Sequence, residues 1–276
     1  MVRTRTILSI STLGILTALT GCPEDKPAAP PAAPTATPPP APVAPAAPTA
    51  AAPAAPAAPN APAAPAAAPG ATGTVKGTVA FAGSAPEMPA LKREADAFCG
   101  KTKMKDETVL VKNGVLQNVV VRVANVAGTF APPATEAAVS QDNCMYRPRV
   151  QGVLAGQSVS IKNGDPAMHN VHTYKGAASW FNQAQLAGSP AIVKKFPDSS
   201  VVVKFKCDVH PWMTGYVAVN QNPFFAVTGE DGTFEIKDVP AGKYTVEAWH
   251  EKLGTKTAEV TVAPGAPAET KFEFKE

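Results

Sequence analysis

The loop at residues 207–213, with the sequence CDVHPWM, brings together three side chains that bind soft metal ions. It offers a thiolate at Cys207, an imidazole at His210 and a thioether at Met213, and a second imidazole lies upstream at His169. Two histidines, one cysteine and a weakly bound methionine form the ligand set of type 1 copper sites, which transfer electrons. The sequence therefore predicts one mononuclear copper site with these four residues as ligands.

Each ligand segment begins where a predicted strand ends. Residues 201–206, VVVKFK, alternate between an apolar face and a face that carries two lysines, the period-2 pattern of a half-buried strand. Cys207 continues the apolar face, so we expect its sulfur to point inward. Upstream, Val159 and Ile161 alternate with polar residues before a Gly-Asp-Pro turn that leads to His169. Residues 216–219 are expected to form the strand that returns from the second ligand loop.

From about residue 144 to residue 220 the chain resembles the cupredoxins, and among them the amicyanin group. The resemblance rests on the segment MHNVH at 168–172 and on the Cys-x-x-His-x-x-Met spacing of the second loop. It implies a Greek-key β-sandwich and a copper site in which Asn170 ties the two ligand loops together beside the thiolate, a contact that tunes the affinity and the potential of the metal. The implied equatorial ligands are His169, Cys207 and His210, and the implied axial ligand is Met213.

Each candidate also has a simpler explanation. A lone cysteine at a strand end is more often a small buried hydrophobic residue or half of a disulfide, and a lone methionine is more often core filling. Zinc could take the thiolate and the imidazoles in a tetrahedral site, although the methionine favours copper. His172 is expected to point away from the metal, as a surface or packing residue or as a point where electrons enter. His250 is expected to be a surface residue.

The N-terminus predicts secretion and lipid anchoring. Arg3 and Arg5 precede an apolar stretch at 7–19 that is too short to span a bilayer, which is typical of a bacterial signal peptide. The sequence LTGC that ends at Cys22 resembles a lipobox, which implies cleavage before this cysteine and its acylation; the alternative is an ordinary signal peptide with Cys22 free. We therefore expect a protein of the bacterial cell envelope, lipid-anchored and either periplasmic or exposed at the cell surface.

The chain has four cysteines, and two remain after lipid and copper have each taken one. Cys99 and Cys144 would lie in an oxidising compartment, where disulfides persist, so we expect them to pair. One of them could instead be a reduced buried thiol or a further metal ligand, because a sequence does not report the distance between two Cα atoms.

The remaining sequence predicts an all-β protein that follows a disordered linker. The linker is nearly all alanine and proline, cannot build a core and favours extended polyproline II. Residues 224–274 predict a meander of short strands and resemble carboxypeptidase regulatory-like, or transthyretin-like, β-sandwiches. Apolar strands at 75–81 and 119–123 could complete that small sandwich, with the copper domain inserted into it. The predicted organisation is a signal peptide at 1–21, a linker at 22–72, an N-terminal β-region at 73–138, the cupredoxin domain at 139–222 and the C-terminal β-domain at 223–276.

The favoured function is electron transfer to a redox partner protein. The exposed edge of His210 would pass the electrons, with Pro211 and Trp212 beside it as an apolar docking patch, although Trp212 could equally be core. A copper carrier or buffer, or a structural or ligand-binding envelope protein, would fit the same sequence less well. We expect no enzymatic activity, because no nucleophile and base lie at a recognisable spacing. A net charge of +3 without a basic run or a phosphate-binding loop predicts no nucleic-acid partner.

Overall fold

The computed structural model describes residues 70–276, and the predicted signal peptide, Cys22 and nearly all of the Ala/Pro-rich segment lie outside these residues. The described part is an all-β structure, as the sequence predicts, with one short 3₁₀ turn at Cys99–Lys101. Within it, none of the elements is a helix with the length and hydropathy that crossing a membrane requires.

Eighteen strands make up the described residues. In chain order they are β1 (Thr72–Phe81), β2 (Val111–Lys112), β3 (Val115–Leu116), β4 (Val120–Val123), β5 (Ala137–Asp142), β6 (Met145–Arg147), β7 (Val150–Leu154), β8 (Ser158–Asn163), β9 (His169–Lys175), β10 (Ala178–Gln185), β11 (Ile192–Lys195), β12 (Val201–Lys206), β13 (Thr214–Asn220), β14 (Phe225–Val227), β15 (Thr233–Pro240), β16 (Gly242–His250), β17 (Gly254–Val262) and β18 (Ala268–Phe274).

Strands from both ends of the described chain form one sandwich, here called the flanking sandwich. Its first sheet has the order β15-β1-β3-β2, with β18 parallel to β1, and its second has the order β14-β4-β16-β17. Apolar side chains at alternate positions, such as Val79, Phe234 and Val246, fill the space between the two sheets. The N-terminal and C-terminal strands therefore share one core.

Strands β5–β13 form the second sandwich, here called the inserted sandwich. Its sheets have the orders β10-β9-β12-β13-β7 and β11-β8-β5-β6. Val203 and Phe205 are fully buried and point into the core, as the alternation in β12 predicts. Strands β9 and β12 are antiparallel, with Lys206 opposite His172. The start of β9 and the end of β12 therefore meet at the same end of the sheet, which is where the metal-ligating residues are expected.

The two sandwiches pack through the outer faces of one sheet from each. Val120 faces this contact and is buried with Val150 and Ala218, whereas the next residue, Val121, belongs to the core of the flanking sandwich. A Cβ at Gly152 would lie 2.5 Å from the ring of Phe225, so the sheets come this close because residue 152 has no side chain. The result is a stack of four sheets.

One segment leaves the flanking sandwich and covers the inserted one. This cap, defined as residues 93–102, contributes Cys99 to the core of the inserted sandwich, and the predicted disulfide between Cys99 and Cys144 is present with Cα atoms 5.7 Å apart. The buried guanidinium of Arg93 donates hydrogen bonds to the carbonyls of Thr102 (2.9 Å) and Asn143 (2.5 Å). The sequence groups this segment with the strands at 73–138, but the disulfide and Arg93 fix it to the inserted sandwich.

Candidate metal centre

The four predicted metal ligands lie at one end of the inserted sandwich. His169 is the first residue of β9, Cys207 directly follows β12, and His210 and Met213 lie in the loop between β12 and β13. All four are buried, and only His210, at 2%, has any exposure. Two backbone hydrogen bonds close the loop: the N–H of Met213 donates to the carbonyl of His210 (2.9 Å), and that of Cys207 donates to the carbonyl of Met213 (3.2 Å).

Three of these residues direct their ligand atoms at one point. The Nδ1 atoms of His169 and His210 are 2.9 Å apart, and the sulfur of Cys207 lies 3.8 Å from Nδ1 of His210. The three ligand atoms all lie within 4.8 Å of one another. Among the described residues, Cys207 is the cysteine that stays free, and Met213 packs in the same core as its thiol.

The outer nitrogen of each imidazole faces a carboxylate. Nε2 of His169 is 2.8 Å from Oδ2 of Asp165, and Nε2 of His210 is 3.2 Å from Oδ2 of Asp96. A carboxylate accepts hydrogen bonds, so each Nε2 carries a proton, which leaves Nδ1 as the atom of each ring that can bind a metal. Burial lowers the pKa of His169, against the opposing effect of Asp165, which favours the neutral ring.

This arrangement fits a copper ion. Two Nδ1 atoms that face each other at 2.9 Å need a proton or a metal ion between them, because two bare lone pairs would repel. A buried thiol beside two imidazoles and a methionine is the donor set that copper prefers over harder ions. Carboxylates behind the ligating histidines are a common feature of metal sites, because they fix the orientation of the ring and increase its donor strength.

Asn170 lies between the two candidate ligand loops. Its backbone N–H points at the sulfur of Cys207 (3.5 Å), its amide oxygen accepts from the N–H of Asp208 (2.5 Å), and its amide nitrogen donates to the carboxylate of Asp208 (3.0 Å). The hydroxyl of Tyr146 lies 2.7 Å from the carbonyl of Asn170 and 3.1 Å from that of Lys206. Burial, together with the nearby Cys207 and Asp208, raises the pKa of Tyr146, so this group remains a proton donor between the two strands.

His172 is not part of the metal cluster. One ring nitrogen lies 2.9 Å from the carboxylate of Asp208, which accepts the hydrogen bond, and the other lies 2.9 Å from the hydroxyl of Ser179. The ring also stacks on Tyr174, with ring centroids 4.2 Å apart. Burial would raise the pKa of Asp208, but hydrogen bonds from His172, Asn182 and Asn170 outweigh it and lower the pKa. A chain of polar contacts therefore runs from the residue next to Cys207 to the surface of the sheet.

Two sequence-based expectations about exposure are wrong. The edge of His210 is not exposed, because Asp96, the sulfur of Cys99 (3.7 Å from Nε2) and the ring of Trp212 (5.1 Å between centroids) cover it. For Trp212 the sequence left a docking patch and the core open; its ring nitrogen donates to the carbonyl of Cys144 (3.1 Å), and the ring packs, partly buried, against the core. His250 is also buried, at 1% exposure, rather than on the surface.

Sequence reasoning missed the two aspartates. Asp165 could have been found, because it lies four residues before His169 in the turn that leads to this ligand. The N–H groups of Asn143 (2.8 Å) and Cys144 (2.7 Å) hold its carboxylate. Asp96 had no such signal, since it is 114 residues from His210 in the chain.

A protein-family model matches part of the chain. The model, described as domain II of polysaccharide lyase family 4, matches residues 198–270. This range is less than half of the chain and extends from the inserted sandwich into the flanking one. No curated protein sequence matches the chain.

Three solved structures that resemble the chain are cupredoxins. A purple cupredoxin from Nitrosopumilus maritimus is 24% identical, with a TM-score of 0.27, over 30% of this chain and 99% of its own. Amicyanin from Paracoccus versutus is 22% identical, with a TM-score of 0.28, over 36% of this chain and 97% of its own. Pseudoazurin from Methylobacterium extorquens AM1 is 27% identical, with a TM-score of 0.27, over 32% of this chain and 77% of its own. At these TM-scores the likeness carries no weight by itself, and the copper assignment depends on the geometry of the cluster.

Proposed function

We propose that this protein is a type 1 copper protein that carries electrons in the bacterial cell envelope. The observation that carries the proposal is the buried cluster in which two Nδ1 atoms face each other beside a free thiol. Copper bound there would alternate between Cu(I) and Cu(II), and so take up and release one electron at a time. The proposed ligands are His169, Cys207 and His210, with Met213 as the weak axial ligand.

Burial of the ligands favours electron transfer over copper delivery and over catalysis. A carrier that hands copper to another protein needs ligands that the acceptor can reach, but Cys207 is fully buried and His210 nearly so. A metalloenzyme needs an open position for its substrate. Here the cap and the loop between β12 and β13 enclose the cluster. The enclosure also holds the ligands in place, so that they would move little when the copper ion changes its oxidation state.

Because the edge of His210 is covered, we assign the electron route to the other side of the cluster. Asp208 is bonded directly to Cys207, is 45% exposed at its side chain and contacts the ring of His172, which stacks on Tyr174. These three side chains lie on the outer face of the sheet at the strands β9 and β12. The proposed redox partner is a protein that docks on this face.

The location in the envelope is proposed from the sequence and agrees with the disulfide. The basic and apolar N-terminus and the lipobox-like LTGC support export and a lipid anchor at Cys22. The disulfide between Cys99 and Cys144 supports an oxidising compartment. A tether rich in alanine and proline would let the folded part reach a partner away from the membrane.

The test is the visible absorption and electron paramagnetic resonance of the protein titrated with Cu(II). We expect an intense thiolate-to-copper band and a narrow copper hyperfine splitting, both lost in Cys207→Ser and His169→Gln. His250→Gln is the matched control, because it changes a buried histidine in the flanking sandwich, and it should keep the colour. A colourless protein, or one whose colour survives Cys207→Ser, would refute the type 1 site.

A further inference from the structure

The cap closes the outer edge of His210, the histidine whose edge was expected to face solvent. Oδ2 of Asp96 lies 3.2 Å from Nε2 of this ring, and the sulfur of Cys99 lies 3.7 Å from the same nitrogen. The side chain of Asp96 is itself 29% exposed, so it stands between the imidazole and water.

Backbone hydrogen bonds to the other carboxylate oxygen, Oδ1, hold the side chain of Asp96 in position. The N–H groups of Phe98 and Cys99 donate to Oδ1 at 2.8 Å and 2.9 Å, which leaves Oδ2 for the imidazole. The N–H of Cys99 is the largest of the influences that lower the pKa of Asp96. A short turn thus presents one carboxylate oxygen to one nitrogen of a proposed ligand.

The disulfide joins this turn to the segment that holds Asp165, the carboxylate that contacts His169. Cys99 donates to Asp96, and its disulfide partner Cys144 donates through its own N–H to Asp165, which contacts His169. The two carboxylates that face the two imidazoles are therefore held by two cysteines that are bonded to each other.

We infer that Asp96 is a positioning residue for His210. The bond between Cys99 and Cys144 fixes the position of Asp96 relative to Asp165, which contacts His169. The inference deepens the proposed function and rests on it where copper is concerned. A carboxylate that accepts the Nε2 proton increases the electron density at Nδ1, which strengthens the bond to Cu(II) more than to Cu(I). Asp96 should therefore lower the reduction potential of the site.

A simpler role for Asp96 is to cap the turn that begins at Phe98. The substitution Asp96→Asn separates the two roles, because an amide oxygen can still accept from Phe98 and Cys99 but carries no charge toward His210. In the copper-loaded full chain we expect the Asn variant to shift the ratio of Cu(I) to Cu(II) affinity at least tenfold toward Cu(I), which equals a rise of about 59 mV in potential. A potential equal to that of the wild type would overturn the inference.

Asp231→Asn is the matched control. Oδ1 of Asp231 accepts a hydrogen bond from the N–H of Thr233, two residues ahead (3.0 Å), in the same way as Asp96 accepts from Phe98. Asp231, however, lies in the flanking sandwich. The substitution should leave the potential unchanged. If it moves the potential as far as Asp96→Asn does, the effect is general electrostatics and the inference fails.

A second measurement needs no copper, so that it decides the inference even if the proposed function fails. In the metal-free protein, nitrogen-15 magnetic resonance of the His210 ring should show the proton on Nε2, protected from exchange with water. Asp96→Ala should speed this exchange at least tenfold, while the ring of His250 keeps its signal. A freely exchanging Nε2 proton in the wild type, or one that Asp96→Ala leaves protected, would show that the carboxylate does not hold the ring.

Discussion

Each proposed histidine ligand is oriented by a carboxylate that reaches it from a different distance along the chain. Asp165 precedes His169 by four residues within one turn, whereas Asp96 reaches His210 from the cap. A ring with a proton fixed on Nε2 can rotate only by breaking that hydrogen bond, so Nδ1 stays directed at the metal. The chemistry of the site therefore depends on residues that are not ligands.

A histidine away from the site should make stability depend on pH. Nδ1 of His250 accepts from the N–H groups of Lys252 and Leu253 (3.3 Å each), while Nε2 has no partner among residues 70–276. Burial, helped by the charge of Arg149, lowers the pKa of His250 to about 4 from an ordinary value of 6.5. Between these values the unfolded chain binds more protons than the folded one, so stability is complete above pH 6.5 and is lost as the pH falls toward 4.

The size of this loss can be measured by urea unfolding of the metal-free protein at pH 7.5 and pH 4.5. Protonation of His250 should account for about 2–3 kcal/mol of the difference between the two conditions. His250→Gln removes the titration, so the variant should lose that much less stability on acidification. Equal losses in the two proteins would mean that the buried ring does not resist protonation.

Short segments explain why the proposed ligands could be identified in the sequence, whereas Asp96 and the burial of His250 could not. Cys207, His210 and Met213 fall within seven residues, and the alternation in β12 predicts the inward direction of the thiol. Burial of His250 depends on the packing of β16 against other strands, which no local pattern reports.

At the scale of elements, the cluster depends on the antiparallel pair β9 and β12. The pairing that sets Lys206 opposite His172 also brings the start of one strand to the end of the other. Tyr146, from β6 in the opposite sheet, bridges both strands beside the ligands. The strand β10, in contrast, gave no clear pattern in the sequence, because it is an edge strand whose side chains are mostly exposed on both faces.

The proposed electron route lies on the same pair of strands. Replacing His172 by leucine removes the ring between Asp208 and Tyr174. We expect the copper-loaded variant to keep its visible spectrum but to react more slowly with hexacyanoferrate(III) in stopped-flow measurements. Pro211→Ser, an exposed change beside His210, is the control and should leave the rate unchanged. If Pro211→Ser slows the reaction and His172→Leu does not, electrons leave through the edge of His210 instead.

At the scale of the whole molecule, a buried ion pair joins the two sandwiches. Arg149, just before β7, donates to both carboxylate oxygens of Glu251 (2.5 and 2.8 Å), and their side chains are 6% and 4% exposed. Burial acts to lower the pKa of Arg149, but the hydrogen bond and the charge of Glu251, with smaller effects from Tyr216 and Asp106, together outweigh it and raise the pKa. Tyr216 and Trp249 pack beside the pair with ring centroids 5.5 Å apart. Neither charge can be removed alone without leaving the other buried and unpaired.

Arg149→Met should therefore cost about 3–5 kcal/mol in unfolding free energy, as measured with urea. The double variant Arg149→Met, Glu251→Met should be less destabilised than the single one, because it leaves no uncompensated charge. Lys76→Met, which breaks an exposed pair with Glu269 in the flanking sandwich, should cost below about 1 kcal/mol. A loss at Arg149 as small as that at Lys76 would mean that the two sandwiches do not depend on the pair.

The shared core of the N-terminal and C-terminal strands had a sequence signal, but the sequence did not show which outer faces of the two sandwiches meet. The apolar run at 119–123 marks a strand buried on both faces, since Val120 and Val121 enter different cores. The partners of its second face, Val150 and Ala218, belong to strands that look like ordinary half-buried strands in the sequence. The shapes of the outer sheet faces, including the missing side chain at Gly152, determine which faces pack together.

The disulfide should stabilise the whole described structure, because it joins the cap to the inserted sandwich across 45 residues. Closing a loop of that length in the unfolded chain corresponds to about 4 kcal/mol. Replacing both Cys99 and Cys144 by serine should lower the unfolding free energy of the metal-free protein by about this amount, measured in urea at neutral pH. Wild-type protein treated with a dithiol reductant should lose the same amount, and the serine variant should not respond to the reductant. A loss below about 1 kcal/mol would mean that Arg93 and the hydrogen bonds of the cap hold the segment without the covalent link, because a loop that is already closed gains little from a disulfide.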